Sequence, residues 1–303
     1  MNDFLRAKRG KSPSKLRELL AAKGPVKDPV LAPGAYDALS ARIIEQAGFP
    51  AVYMTGFGSS ASLLGRPDVG LLGMAEMVGN ARRIAQAVDV PVIADADTGY
   101  GNPLNVIRTV REYESAGVSA IHIEDQVMPK KCGHMENKQV IAAEEMVEKI
   151  RAATEARSSK DFLIVARTDA RAAESFASAL QRGRLYMEAG ADVLFFEAPQ
   201  SEEEVARVAR EFSRVPLLFN WAEGGKTPPM SLDRLKELGY RIIIFPISAL
   251  LVATKAIRAV MEQIHNDGTP IRAAQQFMTF REFTDSIGLP EIQQIEKRFA
   301  AGK

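Results

Sequence analysis

Val90-Pro-Val-Ile-Ala-Asp-Ala-Asp-Thr-Gly-Tyr-Gly101, then Leu104–Ala116 and Gly117, then Ala120-Ile-His-Ile-Glu-Asp-Gln126, spell out one structural unit. An apolar, β-branched run ends in acids and glycine. A segment of helical periodicity follows and stops at a glycine, and a second apolar run ends in acids again. That order reads as strand, crossover helix and parallel strand. The pattern recurs along the chain. Apolar runs lie at Val30–Ala32, Ala51–Met54, Val90–Ala94, Ala120–Ile123, Phe162–Ala166, Val193–Phe196, Leu217–Phe219 and Ile242–Phe245. Helical segments between and after them centre on Asp37–Ala47, Ala75–Ala87, Leu104–Ala116, Ala143–Ala156, Ser175–Ala189, Glu202–Phe212, Leu232–Leu238 and Ala249–Ile264. Gly48, Gly117, Gly190 and Gly239 supply the left-handed stop expected at a helix C-terminus. Eight such repeats predict a closed (β/α)₈ barrel of the TIM type rather than an open sheet.

No Pro-, Gly- or Ser-rich linker interrupts the repeats, so residues 1–303 read as one domain. Two pieces lie outside the pattern: an amphipathic helix at about 14–23 and a helical extension at about 271–299. The extension carries Phe277, Phe280, Phe283, Ile287, Ile292, Ile295 and Phe299, and such a face needs a partner. It is expected to cover the barrel base or pack on another subunit. Lys plus Arg total 39 against 38 Asp plus Glu, which argues against nucleic acid or an anionic membrane as partner. The first ten residues are charged and lack the apolar run of a signal peptide, and no stretch of 18 apolar residues occurs. The single cysteine, Cys132, cannot form an internal disulfide. These features predict a cytoplasmic protein.

Function in a barrel gathers where the strands end. Asp95 and Asp97 are two apart, so their side chains project to one face. Glu124 adds a carboxylate one strand over, and Asp68 adds another from the loop after the second strand. Such a group repels itself unless a cation neutralises it, and an all-oxygen set suits Mg²⁺ or Mn²⁺ rather than Zn²⁺. Helix capping would explain one strand-end aspartate, but not the group. The stretch Met128–Lys138 is polar and long for a βα connection, as active-site lids are. Within it, Cys132 stands beside Lys130, Lys131, Gly133 and His134, a charged setting that predicts a reactive thiol rather than a buried apolar one. Arg167 ends an otherwise apolar strand, where it can clamp a carboxylate with Glu197 orienting it, or pair with Glu197 or Asp169. His122 reads as a satisfied barrel residue and His265 as surface, whereas Trp221 suits a pocket wall or core packing equally. The glycine-rich stretches Thr55–Gly58 and Glu223–Gly225 match no nucleotide motif and better supply backbone donors to a substrate carboxylate.

Taken together, Asp95-Ala-Asp97-Thr-Gly-Tyr-Gly, Glu124-Asp-Gln, Lys130-Lys-Cys132-Gly-His134, Arg167-Thr-Asp and Asn220…Glu223-Gly-Gly resemble the isocitrate lyase and phosphoenolpyruvate mutase superfamily. The resemblance runs from about Pro29 to Gly268, and the Lys-Lys-Cys-Gly-His loop is its most specific part. It implies a barrel whose eighth helix is swapped between partners within a homotetramer. It further implies cleavage of a 2-hydroxy or 2-keto dicarboxylate bound to Mg²⁺. Asp97 would then be the direct metal ligand, with Asp95, Asp68 and Glu124 holding metal-bound waters. Tyr53, Thr55, Gly56, Gly58, Arg167 and Asn220 would grip the α-oxyacid end, with Gly133 and Glu223 also at the substrate. Cys132 would be the proton donor, with His134, Arg167 and Glu197 beside it. Phe57 stands where many methylisocitrate lyases have glycine. Ala222-Glu223-Gly224-Gly225-Lys226-Thr227-Pro228 looks more like the group of 2,3-dimethylmalate lyases, petal death proteins and oxaloacetate hydrolases.

The expected reaction is therefore retro-aldol cleavage of a 2-alkylmalate such as 2,3-dimethylmalate, or of methylisocitrate, to a 2-keto acid such as pyruvate plus a carboxylate. Oxaloacetate hydrolysis or C–P chemistry of the phosphonomutase type are the alternatives on the same scaffold. A catalytically dead barrel used for binding is the non-enzymatic one, and loss of the acids or of Cys132 would favour it. None is lost.

Overall fold

The computed structural model describes residues 14–21, 28–133 and 135–300. Eight parallel strands close on themselves in sequence order. They are β1 (Val30–Ala35), β2 (Val52–Met54), β3 (Val92–Asp95), β4 (Ala120–Glu124), β5 (Leu163–Thr168), β6 (Val193–Phe196), β7 (Leu217–Asn220) and β8 (Ile242–Phe245). Helix α1 (Ser14–Ala21) precedes them. The outer ring comprises α2 (Ala38–Gln46), α3 (Gly56–Leu64), α4 (Met74–Ala87), α5 (Pro103–Ala116), α6 (Ala143–Ala156), α7 (Ala170–Ala173), α8 (Phe176–Glu188), α9 (Glu202–Glu211) and α10 (Leu232–Leu238). The expected barrel and all eight strands are present, and Gly48, Gly117, Gly190 and Gly239 all hold positive φ.

Alternation along each strand sorts the side chains into two cores. Ala51, Tyr53, Ile93, Ala120, Leu163, Val165, Val193, Phe195, Leu218, Ile242 and Ile244 fill the barrel interior. Their neighbours Val52, Met54, Ala94, Ile121, Ile164, Ala166, Leu194, Phe196, Leu217 and Ile243 face the helices. The same period of two carries the interior set upward to polar residues at the strand ends. On β4, Ala120 is followed inward by His122 and Glu124; on β5, Leu163 and Val165 lead to Arg167. The pairing registers Asp95 with His122, and Glu124 with Arg167, bring these residues to neighbouring positions at the barrel mouth.

The base is closed by α1, whose Leu16 and Leu20 join the interior core and whose Leu19 and Leu20 carbonyls accept bonds from Arg241. Each buried leucine there contributes about 1.5–3 kcal/mol. Helix α1 corresponds to the segment expected at about 14–23, of which residues 22 and 23 lie outside the described set.

The contacts divide the chain into two compact units, one ending at Ala249 and one running from Leu250. The division falls within α11 (Ser248–Asp267), earlier than the extension from about residue 271 that the sequence suggests. The second unit continues through a 3-10 turn (Ile271–Gln276), α12 (Phe280–Ser286) and α13 (Leu289–Phe299). Of its expected apolar residues Ile295 is buried, while Phe277, Phe280, Phe283, Ile287, Ile292 and Phe299 are exposed, Phe280 at 83%.

Candidate active site

Helix α3 begins within the glycine-rich stretch Thr55–Gly58, whose composition does not predict a helix. Thr55 caps it by accepting from the Gly58 amide, 3.1 Å away, and the Gly56 amide donates to Asp95 Oδ2 at 3.2 Å. A Cβ on Gly56 would stand 2.3 Å from that oxygen, so only glycine lets the helix start this close to the acid. Asp95 also accepts from the Asp97 amide (2.9 Å) and lies 3.2 Å from His122 Nε2, itself 2.7 Å from the Tyr53 hydroxyl. Tyr113 donates to the Asp95 carbonyl at 2.9 Å and fixes the strand end from behind. Past it, Asp97 holds φ at +47°, a conformation aspartate tolerates better than most side chains.

Lys130, from the loop after β4, reaches back into this group. Its buried ammonium lies 2.7 Å from Asp68 and 2.6 Å from Asp97 Oδ1. Burial would raise the Asp95 carboxyl, but His122, Lys130 and Arg167 outweigh it and hold Asp95 well below the usual range. For Asp97, burial wins over Lys130, with Asp95 and Asp68 adding to it, and the carboxyl is pushed up to about 6. Burial likewise raises Glu124 well above its ordinary value, against the pull of Arg167.

Arg167 is the hub of the other half. Its Nε and Nη2 donate to Asp169 at 2.8 and 3.1 Å, Nη1 lies 3.1 Å from Glu124, and Nη2 lies 3.5 Å from Glu197. Both anticipated pairings, with Asp169 and with Glu197, therefore occur. Asn220 donates to the two Glu197 oxygens at 3.3 Å each. Gly133 of the loop is laid on this pair so closely that a Cβ would meet Glu197 Cδ at 2.5 Å and Arg167 Nη2 at 2.7 Å.

Between the halves lies a cavity of about 240 Å³. Tyr53, Thr55, Asp68, Asp95, Cys132, Gly133, Arg167, Glu197, Asn220 and Glu223 all line it. Asp97 and Glu124 are buried beside these groups without lining it, and Gly56 and Gly58 do not line it either, their amides being engaged by Asp95 and Thr55. His134 lies outside the described residues. Glu223 accepts from Ser248, and the Trp221 indole donates to the Met230 carbonyl, joining the core rather than this cavity. Lys130 and Lys131 do not both serve the thiol: the first is spent on Asp68 and Asp97, and the second donates to the Asn137 carbonyl. Two buried lysines, Lys130 and Lys138, take site roles that the sequence could not mark, since lysines in a polar loop read as solvated.

A divalent cation fits this chemistry. Asp68, Asp95, Asp97, Glu124, Asp169 and Glu197 are six carboxylates against the three cations Lys130, Lys138 and Arg167, a formal excess of three negative charges. Glu124 Oε1 is buried without a hydrogen-bond donor, while Asp97 Oδ1 and Glu124 Oε2 meet Lys130 and Arg167 as ion pairs. Among the described residues no three acidic, imidazole or thiol side chains close on one point as a full inner shell.

The family model described as phosphoenolpyruvate phosphomutase matches residues 16–265. The chain is 51% identical to the 2,3-dimethylmalate lyase of Eubacterium barkeri over 96% of its own length and 99% of that protein's. The crystal structure of a 2,3-dimethylmalate lyase superposes with a TM-score of 0.89 at 41% identity, covering 96% of this chain and 95% of that one. A phosphonopyruvate hydrolase solved with oxalate and Mg²⁺ gives 0.85 at 32% identity, covering 95% and 99%.

Proposed function

The chain belongs to the phosphoenolpyruvate mutase and isocitrate lyase superfamily, and from that premise we propose a cytoplasmic, Mg²⁺-dependent carbon–carbon lyase acting on 2,3-dimethylmalate or a close 2-alkylmalate. Arg167 and Asn220, both held by Glu197, grip the α-oxyacid end of the substrate. Asp97 would hold the metal directly, with Asp68, Asp95 and Glu124 beside it to hold metal-bound waters. A divalent ion held there would supply polarisation of the substrate's 2-hydroxyl and carboxylate oxygens and lower the hydroxyl pKa. The C2–C3 bond breaks as the 2-hydroxyl proton passes to one of the carboxylates lining the cavity, and the bonding pair stays on C3. Cys132 delivers a proton to C3, so dimethylmalate yields pyruvate and propionate. Gly133, packed on Arg167 and Glu197, keeps stray water from the developing carbanion.

The observation that carries the choice of substrate is the remaining wall, formed by Phe57, Met135, Phe195, Ile244, Pro246 and Ile247. The third carboxylate of methylisocitrate would need a cation there. Among the described lining residues the cations are Lys130, Lys131 and Arg167, each already engaged. An unpaired buried carboxylate is costly, whereas a methyl group gains from such a wall.

The test is a panel of 2,3-dimethylmalate, citramalate, methylisocitrate, isocitrate and oxaloacetate with Mg²⁺. Dimethylmalate is expected to exceed methylisocitrate in kcat/KM by at least about tenfold. Turnover should vanish with EDTA and return with Mg²⁺ or Mn²⁺. Faster cleavage of methylisocitrate, or oxalate plus acetate from oxaloacetate as the best reaction, overturns the reading.

The exposed Phe277, Phe280, Phe283 and Phe299 further support a homo-oligomer, and we infer a tetramer. Sedimentation at micromolar concentration is expected to give four chains per particle; a monomer rules this out.

A further inference from the structure

Lys138 follows Asn137, whose φ of +57° turns the chain so that the lysine enters the protein. Its side chain is 1% exposed. Burying an ammonium is unfavourable unless its donors are used, so a solvated lysine in a polar loop points outward instead. Here the ammonium donates to the Gly133 carbonyl and, at 2.5 Å, to Asp169 Oδ1. Asp169 is fully buried and also binds Arg167 through two hydrogen bonds. The Asp169 amide in turn donates to Asp125, which takes further bonds from Tyr186 (2.7 Å), Thr168 (2.8 Å) and Arg182 (3.2 Å). One end of the lysine contact is thus a rigid anchor between β5 and α8. The other end is a loop glycine with no room for a side chain over Glu197.

We propose that Lys138 is a positioning residue, tying Gly133 to Asp169 so that Cys132 is held over the cavity in register with Arg167. The opposite side of Cys132 is fastened separately. Its amide donates to the Asp68 carbonyl at 3.1 Å, and the Gln126 side chain brackets the Lys131 backbone at 2.8 and 3.0 Å. Lys138 supplies the fastening on the C-terminal side, and it does so through the carboxylate that also sets the substrate-gripping arginine. The catalytic consequence rests on the reading of Cys132 as proton donor; the placement of Cys132 does not.

Cys132 is the sole cysteine, so alkylation by iodoacetamide reports its accessibility without reference to any substrate. Lys138→Met keeps the apolar stem and removes the ammonium. Losing hydrogen bonds from a charged donor is expected to raise the alkylation rate about 10–100-fold at constant pH. The same loss should lower kcat on the best substrate by a comparable factor, with KM changed less than about threefold. A folded variant whose alkylation accelerates by less than about threefold overturns the proposal. Should the variant not fold, the wild-type chain decides: Cys132 must react at least about tenfold slower in the native protein than in urea. Equal rates overturn the proposal. Faster alkylation in the variant of a protein that cleaves no alkylmalate leaves Lys138 in its role and removes the assigned reaction.

Discussion

Cys132→Ser is expected to lower kcat at least about 100-fold while KM and melting temperature stay close to the wild-type values. Serine keeps the size of the side chain but raises the donor's pKa far above working pH. General acid–base catalysis contributes about 10²–10⁴-fold, so the lower figure is the minimum loss. In the proposed mechanism substrate affinity is set elsewhere, by Arg167 and Asn220, which Glu197 holds together. The fastenings of the loop are also independent of the thiol. The Cys132 amide donates to the Asp68 carbonyl, and Lys130 and Lys138 anchor the flanks, all of which serine preserves. A cysteine that served only packing predicts the reverse, with stability lost and turnover per folded molecule nearly normal. Turnover number and melting temperature measured on one preparation separate the two. More than half of wild-type turnover in the serine variant would remove Cys132 from the mechanism.

Periodicity made the barrel legible, because each strand must show one face to the interior and one to the helices. Ala120, His122 and Glu124 face inward, and Ile121 and Ile123 outward, as alternation alone dictates. Helix α3 was not legible, since Thr55-Gly-Phe-Gly-Ser-Ser carries the composition of a turn. Its helical state comes from the Thr55 cap and from the fit of Gly56 against Asp95, both tertiary facts. The same holds for the lysines of the loop. Lys130, Lys131 and Lys138 look alike in sequence, yet two are buried on carboxylates and one bonds a loop carbonyl. Charge type fixed which residues could meet; burial decided which of them do. The covering of the barrel base by α1 follows from the spacing of Leu16 and Leu20 only once the barrel's open end is known.

Arg167→Met should be the most damaging single change to the fold of the site. The guanidinium stands between Asp169, Glu124 and Glu197 and lies over the Phe195 ring at 5.2 Å. Methionine replaces the stem but leaves buried carboxylates without their shared cation, a loss of about 3–5 kcal/mol. For a chain of this size that lowers the melting temperature by about 5–8 °C. The sign of the pH dependence follows from the carboxyls involved. Burial would raise Asp169, but Arg167 and Lys138 hold it down at about 2, so its stabilisation is present above about pH 4 and lost as pH falls towards 2. Without Arg167 that acid limb becomes shallower. Glu124 is already raised by burial against the opposing pull of Arg167. In the variant it rises further, and a carboxyl with a raised folded pKa loses stabilisation as pH climbs above the ordinary glutamate value. The deficit relative to wild type should therefore widen as pH rises through the raised Glu124 pKa. Melts are best taken with EDTA present, so that no divalent ion compensates. If Arg167 clamps the α-oxyacid end as proposed, turnover should fall by about 10²–10³-fold even at temperatures where the variant is folded. A deficit that narrows with rising pH would mean that Glu124 and Asp169 are neutralised by something other than Arg167.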